Sequence, residues 1–174
     1  MRIGVISDTH GLLRPEALSA LRGVDHVLHG GDIGGEDVLS ELQELAPVTA
    51  VAGNIDGFRC GDAGETARVV LGGVRFFLTH ILDRPHRPRP EVKAELRRDP
   101  VDVVVFGHSH LPHDEMIEGV RYFNPASAGP RRFDYPVSIG ILEVQRGRVA
   151  SSRFVALDVR SETALAKRMN QLSR

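Results

Sequence analysis

Five short apolar runs each end in aspartate, histidine or asparagine, and that recurrence limits the fold more than any other feature of the chain. Ile3-Gly4-Val5-Ile6 leads into Ser7-Asp8-Thr9-His10, and His26-Val27-Leu28 leads into His29-Gly30-Gly31-Asp32. Val48-Thr49-Ala50-Val51 leads into Ala52-Gly53-Asn54, and Val74-Arg75-Phe76-Phe77-Leu78 into Thr79-His80. Val103-Val104-Val105-Phe106 leads into Gly107-His108-Ser109-His110. A short valine-rich run reads as a strand of a buried parallel sheet. In open α/β sheets, sites collect beyond the carboxyl ends of the strands. Alternation along an extended chain predicts that His108 and His110 point together into one pocket while Ser109 points away.

The segments between these runs alternate in type. Pro15 and Glu16 suit the first turn of a helix that stops at Gly23. Glu36 to Ala46 reads as an amphipathic helix closed by Pro47, with Val38, Leu39, Leu42 and Leu45 on one face. Gly57 to Glu65 reads as a loop over the site. Residues 67–78 read as a hairpin turning at Gly72-Gly73, and 91–98 as a helix. Two further hairpins are expected, at 112–123 and 137–157. Ser161 is placed to cap a last helix carrying Leu165, Met169 and Leu172 at helical spacing. Early helices and late hairpins predict an α/β (α+β) layer fold with two sheets rather than one doubly wound sheet.

At 174 residues the chain is expected to form one main domain, 1–158, with 159–174 as a helical tail packed on it or on a partner chain. A formal charge of −1 gives no reason to expect a long nucleic-acid track or a membrane surface as partner. No apolar run approaches the ~20 residues of a membrane span. The first residues read directly as a strand, with no leader pattern, and Cys60 is the only cysteine; a cytoplasmic location is expected.

Asp8, His10, Asp32, Asn54, His80, His108 and His110 therefore all fall at strand ends. A single such residue is ordinarily a cap or a solvated loop group. Seven of them, placed independently at the same end of separate strands, are better explained as a site. Their donors exceed what one zinc ion takes and suit two divalent ions sharing a carboxylate. Mixed imidazole and carboxylate ligation suits manganese, iron, zinc, cobalt or nickel, and suits calcium poorly.

Asp8-Thr9-His10, Gly31-Asp32, Gly53-Asn54, Thr79-His80 and Gly107-His108-Ser109-His110 resemble, in residues and in order, the calcineurin-like metallophosphoesterase superfamily. The small size, Asn54-Ile55-Asp56, and Asn124-Pro125-Ala126-Ser127 followed by Arg131-Arg132 are similar to its YfcE/MJ0936-type phosphodiesterases. The resemblance implies a four-layer αββα sandwich of two mixed β-sheets flanked by helices. It implies that Asp8, His10 and His110 hold one ion, that Asn54, His80 and His108 hold a second, and that Asp32 bridges them. Manganese is the first expectation for both ions. Asp32, Asn54 and His108 are the expected catalytic residues. Asp56, His29 and His86 are expected behind the ligands or against substrate.

The implied activity is hydrolysis of a small phosphodiester by a hydroxide held between the two ions. A nucleotidase or nuclease of the same chemistry is one alternative. A protein-binding scaffold is another, since the retromer small subunit resembles this family. A homo-oligomer is a candidate assembly. Three positions depart from the pattern. Ile55 stands where many relatives have a histidine, Ile81 where glycine commonly follows the ligand, and Ala126 where the late turn has glycine. Isoleucine cannot protonate a leaving group, so substrates with good leaving groups are expected.

Overall fold

The computed structural model describes residues 1–57 and 60–172, with Gln171 and Leu172 described as backbone only. The chain opens with β1 (Arg2–Ile6), α1 (Pro15–Leu21), β2 (His26–His29), α2 (Glu36–Gln43) and β3 (Val48–Ala50). A single 3-10 turn, Asn54–Asp56, precedes the hairpin β4 (Thr66–Leu71) and β5 (Val74–Thr79). A short ribbon, β6 (Asp83–Arg84) and β7 (Arg87–Pro88), leads to α3 (Pro90–Arg98) and β8 (Val103–Val105). Then come β9 (Pro112–Ile117), β10 (Val120–Pro125), β11 (Ser138–Gln145), β12 (Arg148–Ala156) and α4 (Val159–Leu172).

The strands form two five-stranded mixed sheets, in the orders β12-β11-β1-β2-β3 and β4-β5-β8-β10-β9. Alternation along each strand sorts the side chains into layers. Ile3, Val5 and Leu28 of the first sheet meet Phe76, Leu78, Val103, Val105 and Phe123 of the second, forming the core between the sheets. The intervening residues face outward: Ile6 and Val27 pack under Leu21 of α1 and Leu42 of α2, while Phe77, Val104 and Tyr122 pack under Val92 of α3. The expected αββα sandwich is therefore the observed one. The valine run 103–105 is central and hydrogen-bonded in parallel to both β5 and β10, which is why it is apolar on both faces. No described helix is long and apolar enough to cross a membrane.

Three local expectations change. α2 stops at Gln43 rather than Ala46, because the approach to Pro47 disfavours helical backbone in the residue before it. The last turn tightens there, with the Leu45 N–H donating to the Leu42 carbonyl at 3.0 Å. In the stretch read as a loop over the site, Cys60 and Ala63 exchange two backbone hydrogen bonds and pack against the helix-side core. Phe58 and Arg59 of that stretch lie outside the described residues. Ser161 is not the helix cap. Asp158 caps α4, its Oδ1 accepting the Ser161 N–H at 2.8 Å. The fully buried Ser161 hydroxyl instead accepts the Val137 N–H at 2.7 Å and the Arg131 guanidinium at 3.0 Å.

Candidate metal centre

Parallel strands put the loops after β1, β2 and β3 at one end of the first sheet, and those after β5 and β8 at the matching end of the second. Backbone hydrogen bonds hold the loops together. The Asp8 N–H donates to the Gly31 carbonyl, the His10 N–H to the Asp32 carbonyl, and the Gly107 N–H to the His80 carbonyl, at 2.9–3.1 Å.

The conformation of these loops is not that of extended strand. Asp8, His10, Asp32, His108 and His110 all have positive φ, between 48° and 67°. Left-handed backbone is uncommon for residues with a Cβ and concentrates at functional sites. His108 and His110 reach one cleft because each turns the chain, with Ser109 between them, and not because an extended strand continues. Ser109 does point away: its Oγ accepts the Asn124 amide at 3.2 Å.

The side chains converge in two groups. In the first, ligand atoms of Asp8, His10 and His110 lie within 4.8 Å of one another, with His110 Nε2 at 3.2 Å from Asp8 Oδ1 and 3.4 Å from His10 Nε2. In the second, Asp8, Asp32 and His80 meet the same limit. Asp32 divides its oxygens between the groups: Oδ2 is 3.7 Å from His10 Nε2 and Oδ1 is 3.2 Å from His80 Nε2. Asn54 and His108 face each other at the exposed mouth, Oδ1 to Nδ1 at 3.1 Å. All seven strand-end residues are thus brought to one cleft, with Asp8 shared between the two groups.

A cation fits this donor set. His80 is buried, and its Nδ1 lies 2.8 Å from the Gly30 carbonyl, so the neutral ring carries its proton there. That leaves Nε2 bare toward Asp32, and Nε2 makes no hydrogen bond. Two acceptors 3.2 Å apart repel each other unless a proton or a metal ion lies between them. His10 Nε2 and His110 Nε2 also face each other at 3.4 Å, where the N–H of one neutral ring or an ion can lie between them.

The electrostatics mark the same gap, which without an ion favours a proton. Burial alone would push the Asp32 carboxyl up, but the adjoining His80 ring and the Ile55 N–H outweigh it and hold the group down at about 2. Burial likewise works against charge on His80, yet Asp32, Asp8 and the Gly30 carbonyl raise its pKa. His10 and His108 are lowered, chiefly by burial, and the charge on Arg132 reaches His10 and adds to its lowering.

Surrounding residues fix these candidate ligands. The fully buried Ser7, which sequence reasoning passed over, donates its hydroxyl to Asp8 Oδ2 at 2.7 Å. Its only signal was adjacency to Asp8. Asp56 accepts N–H groups of Ile33 and Gly53 on Oδ2 and of Gly34 on Oδ1, at 2.8–2.9 Å, and so ties the Asp32 loop to the Asn54 turn. Buried His29 donates from Nε2 to the Thr9 hydroxyl, which itself donates to Ile33, and accepts the Gly31 N–H on Nδ1. Gly53 is required by close approach: a Cβ there would stand 2.1 Å from Asp32 Oδ1. His86 is not brought to the cleft; it is exposed and pairs with Glu115 of β9 at 2.9 Å, because the β6–β7 ribbon carries it to that strand. The Ile55 side chain is 47% exposed and its N–H donates to Asp32 Oδ1 at 3.1 Å.

The sequence profile of the calcineurin-like phosphoesterase superfamily domain matches residues 1–147. A probable metallophosphoesterase of Methanothermobacter thermautotrophicus is 36% identical over 153 residues, covering 83% of this chain and 86% of its own. The phosphodiesterase YfcE of Escherichia coli is 31% identical over 167 residues, covering 82% and 88%. Among solved structures, an archaeal phosphodiesterase superposes with a TM-score of 0.71 at 25% identity over 90% of this chain and 99% of that one. Vps29 from Entamoeba histolytica, solved with zinc, gives 0.67 at 23% identity over 91% and 100%, a likeness of fold.

Proposed function

This chain belongs to the calcineurin-like phosphoesterase superfamily, and on that premise we propose that it is a phosphodiesterase that uses two divalent ions to hydrolyse small phosphodiesters. The observation that carries the reading is the Asp32 carboxylate, with one oxygen toward His10 and the other toward the bare Nε2 of His80. In this reading Asp8, His10 and His110 hold one ion, Asn54, His80 and His108 hold the other, and Asp32 serves both. Manganese heads the candidate metals, before iron, zinc, cobalt and nickel. Bound there, such ions supply Lewis acidity and a water acidified to near neutrality.

The chain's own residues do the rest. Ser7, Asp56 and His29 keep the ligand loops in place, so the donors need no reorganisation when substrate arrives. Burial favours the neutral, ligating form of His10 and His108. Asn54 and His108, at the open mouth, are the groups that meet an incoming phosphoryl group. The Arg132 charge favours an anion beside His10. Ile55 offers no proton, so the leaving group departs on its own acidity and activated esters are favoured.

A non-catalytic scaffold has no use for these seven donors in one cleft. Residues 1–158 are read as the catalytic unit in the cytosol, and the helix that follows, Val159–Leu172, as a tail for that unit or for a partner chain. The test is alanine at Asp32 and at His108 in separate variants, with bound metal counted and diester hydrolysis measured. We expect metal loss and at least a hundred-fold drop in turnover; metal-dependent turnover kept by both variants overturns the proposal.

A further inference from the structure

A second concavity adjoins the metal-type cleft. A groove of about 950 Å³ begins at Leu111, immediately after His110, and runs between the turn at Phe133 and Tyr135 and the face of α4 that carries Arg160, Lys167 and Arg168. Its size matches small-molecule pockets.

Two properties of the lining point to a ligand. Phe133 is 83% exposed, and its ring sits 5.5 Å from that of Tyr135 with the planes at 58°. This is an uncovered aromatic shelf of the sort on which a planar base stacks. Two of the cations, Arg160 and Lys167, are exposed as well. Arg131 is committed to Asp158, Ser161 and the Tyr135 carbonyl. Among the described residues Arg160 and Lys167, by contrast, have no ion pair, and the buried Nε of Arg168 has no hydrogen-bond partner. One carboxylate, Asp134, shares the lining, so the groove is positive although the whole chain is near neutral. An aromatic face beside free guanidinium and ammonium groups fits a base and a phosphate on one molecule.

We propose that this groove holds the nucleoside end of the substrate, so that the phosphodiester cleaved at the adjoining site belongs to a nucleotide carrying a further phosphate. The proposal rests on the phosphodiesterase reading and names its substrate class. The base stacks on the exposed Phe133 ring, with the tilted Tyr135 ring at its edge. The second phosphate pairs with Arg160, Lys167 and Arg168. The groove is open to solvent but spans only Leu111, the 131–136 turn and α4, so it takes a short nucleotide rather than a long strand.

The full-length protein with manganese is assayed on methyl 4-nitrophenyl phosphate, on diadenylate and on 5′-phosphorylated diadenylate. Equilibrium dialysis of adenosine 5′-phosphate against chelator-treated protein gives a readout independent of turnover. Phe133→Ala is expected to raise KM for both nucleotides about ten-fold with kcat held, and to weaken adenosine 5′-phosphate binding similarly. The double variant Arg160→Ser, Lys167→Ser is expected to erase the preference for the 5′-phosphorylated dinucleotide, and the preference itself should shrink as salt rises. Equal effects of these variants on all three esters, or no binding of adenosine 5′-phosphate by the wild type, overturn the groove assignment. Turnover of none of the three esters, with nucleotide binding intact, instead overturns the phosphodiesterase reading and leaves the ligand class of the groove standing.

Discussion

Oδ1 of Asp32 lies 3.2 Å from Nε2 of His80, and the two groups come from different sheets. Asp32 follows β2 and His80 follows β5, so this one contact joins the ends of both sheets at the cleft. No hydrogen bond fills it.

A bound cation should therefore fasten the sheets together as well as serve chemistry. Manganese at a hundred times its dissociation constant should stabilise the chelator-treated protein by about 2.7 kcal/mol, since it binds only the folded form. Thermal denaturation with and without the metal measures this. Asp32→Asn, which keeps the shape and removes the charge, should abolish most of the shift.

Gly53→Ala tests the backing of the Asp32 carboxylate. The added methyl would have to occupy space 2.1 Å from Asp32 Oδ1 and 2.4 Å from the Asp32 amide nitrogen. Displacing that carboxylate should weaken metal binding and lower kcat/KM by about 10- to 100-fold, the range found for disturbed supports of metal ligands. Metal titration and diester kinetics give the answer, and circular dichroism should show the fold retained.

Ser7→Ala should act on the same scale through Asp8, because the hydroxyl held at 2.7 Å is what orients Oδ2. Ser7→Thr, which keeps the donor and places its methyl toward Gly30 and Gly107, should recover part of the metal affinity.

Asp56→Ala should chiefly cost stability. It strips three backbone N–H groups of their acceptor at once. A loss of about 3 kcal/mol is expected, as for removal of a charged hydrogen-bond partner. Urea denaturation measures it, and Asp56→Asn should fall between.

His29 sets an acid limit. Burial lowers its pKa from 6.5 to about 4. The unfolded chain accepts this proton first, so the stability linked to His29 is whole above pH 6.5. It falls as pH drops from 6.5 toward 4, with a full loss on the order of 3 kcal/mol. Urea denaturation of chelator-treated protein across this range should show the slope, and His29→Gln should flatten it.

Much of this site was legible in the sequence because both of its causes are local. Valine runs fix which segments are inner strands, and a ligand-type residue at the end of each is visible one run at a time. What was not legible is how the chain turns once a strand ends. Period-two spacing correctly paired His108 with His110, yet the reason is left-handed backbone at both, which no alternation rule contains. His86 and Ser161 were misplaced for a related reason. Each is decided by a long-range partner, Glu115 for one and Val137 with Arg131 for the other, and sequence distance hides such partners. Ser7 looked like an ordinary strand-end serine for a different cause: its partner is the adjacent Asp8, and adjacency alone does not turn a hydroxyl onto a carboxylate.

The positive φ of five of the cleft's residues also governs how such a protein can drift over evolution. Glycine and asparagine sit comfortably in that conformation, whereas valine, isoleucine and threonine do not. Aspartate or histidine at these positions can therefore be exchanged for asparagine or glycine with the turns left standing. A lineage that gave up hydrolysis by that route would keep the outline of the rim, ready to be met by another macromolecule.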